Sequence, residues 1–128
     1  MRGGMNKKLE TVLITGCSSG IGHALSREFN RQKYIVYATA RHLESISSLK
    51  KEGINTLFLD VNDDKSVKDA VNRVESEHGG IDILVNNAGY GSMGPSLEIS
   101  ADELRGQFET NVFAPMNLIR EVVPAMIE

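Results

Sequence analysis

The chain has one cysteine, Cys17, in 128 residues. No disulfide can form within it, and the expected compartment is a reducing, intracellular one. It also lacks any excess of positive charge. Fourteen Lys and Arg against 17 Asp and Glu give a formal net charge of −3, which leaves no electrostatic footprint for nucleic acid or an anionic membrane. No apolar run is long enough to span a bilayer, and the opening MRGGMNKKLE is too polar for the core of a signal peptide. His23 and His78 have no second His or Cys at metal-ligand spacing, so no metal site is expected. Internal repeats and low-complexity segments are missing as well. These absences point to a cytoplasmic protein whose partner is a small molecule.

What is present is an alternation. A hydrophobic content of 41% over this length is ordinary for one compact domain, expected over residues 9–128 behind a loose tail at 1–8. Thr11 to Thr15 reads as a β-rich apolar run, followed by Ile21, Ala24, Leu25 and Phe29 at helical spacing. YIVYATA, ending at Ala40, is a second strand. Leu43, Ile46 and Leu49 ahead of Gly53 mark a short second helix. INTLFLDV is a third strand, and Val67, Ala70, Val71 and Val74 form a helical face between the capping cluster Asn62, Asp63, Asp64 and the stop at Gly79-Gly80. IDILVNN is a fourth strand, and Ser100 to Glu103 is a capping box opening a longer helical region. The βαβαβαβα order predicts an α/β fold of the Rossmann type, a doubly wound parallel sheet with right-handed crossovers. Ligands bind such sheets beyond the carboxyl ends of the strands.

The stretch VLITGCSSGIGHAL places a glycine-rich loop at that edge. Gly16 allows a sharp turn off the strand, Gly20 allows backbone to approach a ligand, and Gly22 allows the helix to pack close to the sheet. The N–H groups around Ser19 to Gly22, Ile21 among them, are the unpaired donors of a helix N-terminus, where a diphosphate is favoured. The hydroxyls of Ser18 and Ser19 add hydrogen bonds. The competing reading is a turn that merely connects strand to helix.

TGCSSGIG resembles the cofactor loop of the short-chain dehydrogenase/reductase family, and NNAG at Asn86 to Gly89 resembles that family's second signature. LDV at Leu59 to Val61 and TNVF at Thr110 to Phe113 are similar to two further family segments. TGCSSGIG, VYATAR and NVFAP look most like the branch with 17β-hydroxysteroid dehydrogenases, retinol dehydrogenases and acyl-dihydroxyacetone-phosphate reductases. The resemblance implies an NAD(P)-dependent oxidoreductase acting on a small-molecule carbonyl or alcohol. It implies that Asp60, with Val61 beside it, accepts from the adenine amino group; a plain turn aspartate is the alternative. Asn87 would be a scaffold residue, with Ala88 and Gly89 keeping space clear for the cofactor. Ala40 and Arg41 stand at the end of the second strand, where NAD sites usually carry an acid. An arginine there suits a 2′-phosphate, so NADP is expected in preference to NAD, unless Arg41 is simply solvated. His42 either assists it or is a surface residue, and Tyr90 either lines the substrate side or covers the sheet edge. Proline at 115 has no N–H for the carbonyl of Asn111. In the family the matching asparagine kinks the helix and its main-chain oxygen holds a water of the proton relay; an ordinary proline kink is the other reading.

One departure is serious. The family's general acid is a tyrosine with a lysine four residues on and a serine nearby. Here Tyr34, Tyr37 and Tyr90 are followed four on by Ala38, Arg41 and Gly94. The resemblance therefore implies a truncated member, stopping before the fifth strand and itself inactive, the alternative being a non-catalytic dinucleotide-binding remnant or sensor. Val112, Met116, Ile119, Val123 and Met126 give the last helix an apolar face, through which a homo-oligomer is expected.

Overall fold

Val12, Leu13 and Ile14 have no exposed surface, which an alternating three-residue run achieves only when both faces of its sheet are covered. The computed structural model of the chain describes residues 8–90, 94 and 96–128; the tail expected at 1–8 lies, but for Lys8, outside them. Strand β1 (Thr11–Ile14) sits between β2 (Ile35–Ala40) and β4 (Ile83–Val85), and β3 (Asn55–Phe58) pairs with the far side of β2. All pairings are parallel, in the order β3-β2-β1-β4, with Leu13 opposite Tyr37 on one side and Leu84 on the other. The connecting helices are α1 (Gly20–Arg31), α2 (Ser47–Lys51) behind a 3-10 turn, and α3 (Asp64–His78). After β4 come α4 (Ala101–Phe108), a π-helical segment (Glu109–Phe113) and α5 (Ala114–Ile127).

Two cores follow from the period of two in the strands. Val12, Ile14, Val36 and Ala38 point to the α1–α2 side, with Ile46, Leu49, Leu25 and Phe29. Leu13 and Tyr37 point to the other side, against Val67, Ala70, Val71 and Val74 of α3 and Leu118 and Val122 of α5. The Tyr37 hydroxyl donates to Glu77, which Arg73 also pairs. Burial first, then Glu77, raises the tyrosine's pKa. The hydroxyl of Tyr37 and then the guanidinium of Arg73 hold the Glu77 carboxyl below its usual range.

The ends of the helices match their residues. Asp63 caps α3, its carboxylate accepting from the N–H groups of Lys65 and Ser66, and Gly79 closes it in the left-handed region. Ser100 caps α4 by accepting from Glu103 N–H.

One helix face differs from the sequence expectation. On α1, Gly22 and Ser26 are buried while Ile21 is 71% exposed and Ala24 is exposed. Small residues four apart let the helix sit close on the sheet, and Leu25 and Phe29 flank that contact. On α5 the inner face is Ala114, Leu118 and Val122. Val112 of the π-helical segment and Met116, Ile119 and Met126 of α5 are exposed, as the apolar face expected of the last helix requires.

Candidate functional site

The carboxyl ends of the strands hold a cleft of about 530 Å³, lined by Gly16, Ser18 and Ser19 from the loop after β1, by Ala40 to His42 after β2, by Leu59 to Asn62 after β3, and by Asn87 to Tyr90 after β4. Ser45 and Thr110 complete it. A depression of about 550 Å³ on the outer face of α1 lacks that convergence of loops, and its Arg27 and Arg31 are paired with Glu52 and Glu28.

The loops are locked to one another. Gly16 has φ +66°, and a Cβ there would lie 2.8 Å from Ala88 Cα. A side chain at 16 would therefore both strain the backbone and push the fourth loop away. A Cβ at Gly22 would run into the Gly16 carbonyl and the Asn87 amide. Asn87 Nδ2 donates to Gly16 O at 3.0 Å. Thr15 Oγ1, buried, accepts from the N–H groups of Asn87 and Ala88, each at 2.9 Å. Thr39 Oγ1 donates to Ile14 O at 2.9 Å, joining the end of β2 to the same frame. Cys17 is sealed beneath. Its thiol donates to Ile14 O and accepts from Ser26 Oγ, and burial raises its pKa, which removes thiolate reactivity.

At the anion end, Ser19 is the N-cap of α1 but makes no side-chain cap hydrogen bond. Asp63 and Ser100 do cap their helices. The first turn of α1 thus keeps its N–H groups and dipole for something outside the helix, the arrangement that suits a diphosphate. Arg41 is exposed at the end of β2 and has no ion pair among the described residues. Asp60 stands two residues beyond the end of β3; its Oδ1 accepts from Asn62 N–H at 3.0 Å, the bond of an Asx turn. The carboxylate lines the cleft while making that turn, so the two readings of Asp60 are compatible. A hydroxyl pair, a guanidinium and a carboxylate lining one cleft beside an uncapped helix start fit a dinucleotide.

Among the expected residues, Gly20, Ile21 and Gly22 lie in the first turn of α1 outside the lining, and Asn111 lies behind Tyr90. Asn111 Oδ1 accepts from Tyr90 N–H at 3.0 Å and Asn111 Nδ2 donates to Tyr90 O at 2.6 Å. The helix around it is not a simple proline kink. Ala114 N–H donates to Glu109 O, an i→i+5 bond. With no N–H, Pro115 can serve neither Asn111 O by the α pattern nor Thr110 O by the π pattern. Sequence reasoning missed Thr15, although a β-branched hydroxyl just after a strand and before a glycine was a usable signal. It also missed the meeting of Asn62 and Thr110, since neither the capping cluster nor the TNVF segment points to the other.

Residues 10–128 match the family model described as short chain dehydrogenase. Short-chain dehydrogenase PC-15 of Penicillium crustosum is 42% identical over 91% of this chain and 44% of its own length. Retinol dehydrogenase 8 of Bos taurus is 38% identical, over 91% and 40%. The NADPH-dependent 1-acyldihydroxyacetone phosphate reductase of Schizosaccharomyces pombe is 36% identical, over 84% and 37%. The chain thus spans less than half the length of these curated relatives. A short-chain dehydrogenase from Streptomyces avermitilis superposes with a TM-score of 0.91 at 33% identity, covering 94% of this chain and 46% of that one. A metagenomic short-chain oxidoreductase in complex with NADP gives 0.84 at 31%, covering 92% and 57%. With the loop order, the parallel sheet and these likenesses in agreement over nearly all of its residues, the chain belongs to the short-chain dehydrogenase family.

Proposed function

We propose that this chain is the dinucleotide-binding half of an NADP-dependent carbonyl reductase or alcohol dehydrogenase of the short-chain type. The observation that carries the reading is the convergence of Ser18, Ser19, Arg41, Asp60 and Asn87 to Gly89 on one cleft at the carboxyl edge of the sheet. NADP, when bound, supplies the hydride donor or acceptor. The residues here bind and orient it. The uncapped first turn of α1 holds the diphosphate with Ser18 and Ser19, Arg41 pairs with the 2′-phosphate, and Asp60 accepts from the adenine amino group beside Val61. Ala88 and Gly89 leave room along the fourth loop, while the main-chain oxygen of Asn111 is the group available to hold a relay water.

Support for NADP over NAD comes from the absence of a carboxylate at the end of β2 and from the named NADPH dependence of one relative and the NADP bound to one structural neighbour. Titration with NADPH and NADH tests it. A charge-assisted phosphate contact contributes about 1.5–3 kcal/mol, or roughly tenfold to a hundredfold in affinity. NADPH should bind tighter by that factor and Arg41→Ala should remove most of the difference; equal affinities in the unmodified chain sink the assignment.

No tyrosine among these residues has a lysine four positions on, which favours a second reading for the chain by itself, a dinucleotide binder without chemistry. In either reading the 128 residues by themselves should show no hydride transfer across a panel of carbonyl substrates, and turnover in protein of verified mass contradicts both. The apolar face of the last helix, from Val112 to Met126, is proposed as the surface of a homo-oligomer. A cytoplasmic location is proposed from the single free thiol.

A further inference from the structure

The π-helical segment Glu109–Phe113 has no fully buried residue, and its Val112 and Phe113 are about half exposed, so apolar packing holds it only weakly. Among the described residues, two sets of side-chain hydrogen bonds tie it to the rest of the fold. One is the pair of hydrogen bonds between Asn111 and the main chain of Tyr90. The other is a hydrogen bond from Asn62 Nδ2 to Thr110 Oγ1 at 2.9 Å, between residues 48 apart in sequence. Asn62 has a second bond, from its backbone N–H to Asp60 Oδ1. Both Asn62 and Thr110 line the cleft. Thr110 makes no side-chain hydrogen bond back to its own helix among the described residues, although a helical threonine commonly does so.

We infer that Asn62 and Thr110 are positioning residues that couple the adenine end of the cleft to the Asn111–Tyr90 pair. The inference rests on the dinucleotide reading above. A ligand amino group engaging the Asp60 carboxylate orders the Asp60–Asn62 turn. An ordered Asn62 holds Thr110, and a held Thr110 fixes its neighbour Asn111 against Tyr90. The adenine half of the ligand thereby tightens the Asn111–Tyr90 pair without touching it, and linkage makes the effect reciprocal.

The test uses the whole chain and ADP, which has the adenine and diphosphate but no nicotinamide. Amide hydrogen exchange is read by NMR at Tyr90 N–H, with Leu13 N–H in the central strand as a control for global stability. Saturating ADP should slow exchange at Tyr90 in the unmodified chain. In Thr110→Val, Tyr90 should exchange faster by about fivefold, the size of one neutral hydrogen bond, and ADP should no longer slow it, while Leu13 stays unchanged. Thr110→Ser, which keeps the hydroxyl, should restore the response. Asn62→Ala should reproduce the valine variant, and the double variant should add nothing further. An equal ADP response at Tyr90 in Thr110→Val and the unmodified chain overturns the coupling, as does full additivity of the two substitutions. If ADP perturbs the amides of Ser18 to Gly22 but not Tyr90, the coupling alone falls. If it perturbs neither, the dinucleotide reading falls with it.

Discussion

Replacing Thr15 by valine keeps the shape of the side chain and removes only the hydroxyl, so its cost can be worked from the hydrogen bonds it breaks. Thr15 Oγ1 accepts from Asn87 N–H and Ala88 N–H. Asn87 N–H has a second acceptor, Val85 O at 3.1 Å, and stays paired. Ala88 N–H has none other among the described residues and is left partly buried and unsatisfied. An unsatisfied buried donor costs about 1–3 kcal/mol. Ala88 is only half-buried, and water entering beside it brings the expectation to the lower part of that range, about 1–2 kcal/mol. The new methyl recovers little, because Thr15 sits at the end of its strand against polar loop backbone. Urea unfolding followed by circular dichroism should show the midpoint lowered with an unchanged slope, and the Ala88 amide should exchange faster than in the unmodified chain. Thr15→Ser should recover most of the loss. A valine variant as stable as the original within about 0.3 kcal/mol, with Ala88 still protected, would refute the claim that this hydroxyl holds the fourth loop to the first.

The opposite sign is expected at Thr11, whose buried Oγ1 has no hydrogen-bond partner among the described residues. Thr11→Val should stabilise the fold by about 1 kcal/mol, measured by the same urea midpoint; destabilisation shows that the hydroxyl has a partner. Asp63→Ala removes the acceptor for Lys65 N–H and Ser66 N–H and should cost about 1 kcal/mol, while Asp63→Asn should lose little. The folded pKa of Glu77 is held below the unfolded value by Tyr37 and then Arg73. Its contribution is therefore complete above the unfolded carboxylate pKa, about 4.3, and is lost as pH falls through the lower folded value. Glu77→Gln should flatten the acid limb of a plot of urea midpoint against pH, and curves that stay parallel to the original contradict the assignment.

The order of elements was legible because each carries its own local signal. The strand at Thr11 has β-branched residues, α3 has both an aspartate cap and a glycine stop, and α4 has Ser100 three residues before Glu103. The cleft was legible wherever a residue type declares its chemistry, as Arg41 and Asp60 do. What escaped was everything that depends on two distant segments meeting. Thr15 acts on amides more than 70 positions away, and Asn62 meets Thr110 across 48. The face of α1 was misjudged at Ile21 because hydrophobicity ranks isoleucine above glycine and serine, whereas close approach to the sheet selects the smaller residues. Pro115 marked a disturbed helix correctly, but the choice between a kink and a π turn depends on which carbonyl the next free N–H reaches.

That π turn also sets a phase. Its extra residue rotates everything after Phe113 by about 100° relative to a continuous α-helix. Upstream, α4 turns no residue fully inward, while downstream Ala114 is buried and Leu118 and Val122 pack against α3. Removing one residue from the turn would yield a better-bonded helix and aim the wrong side of α5 at the core. A one-residue deletion here, in a stretch that buries nothing of its own, should therefore do more harm than the same deletion in a surface loop.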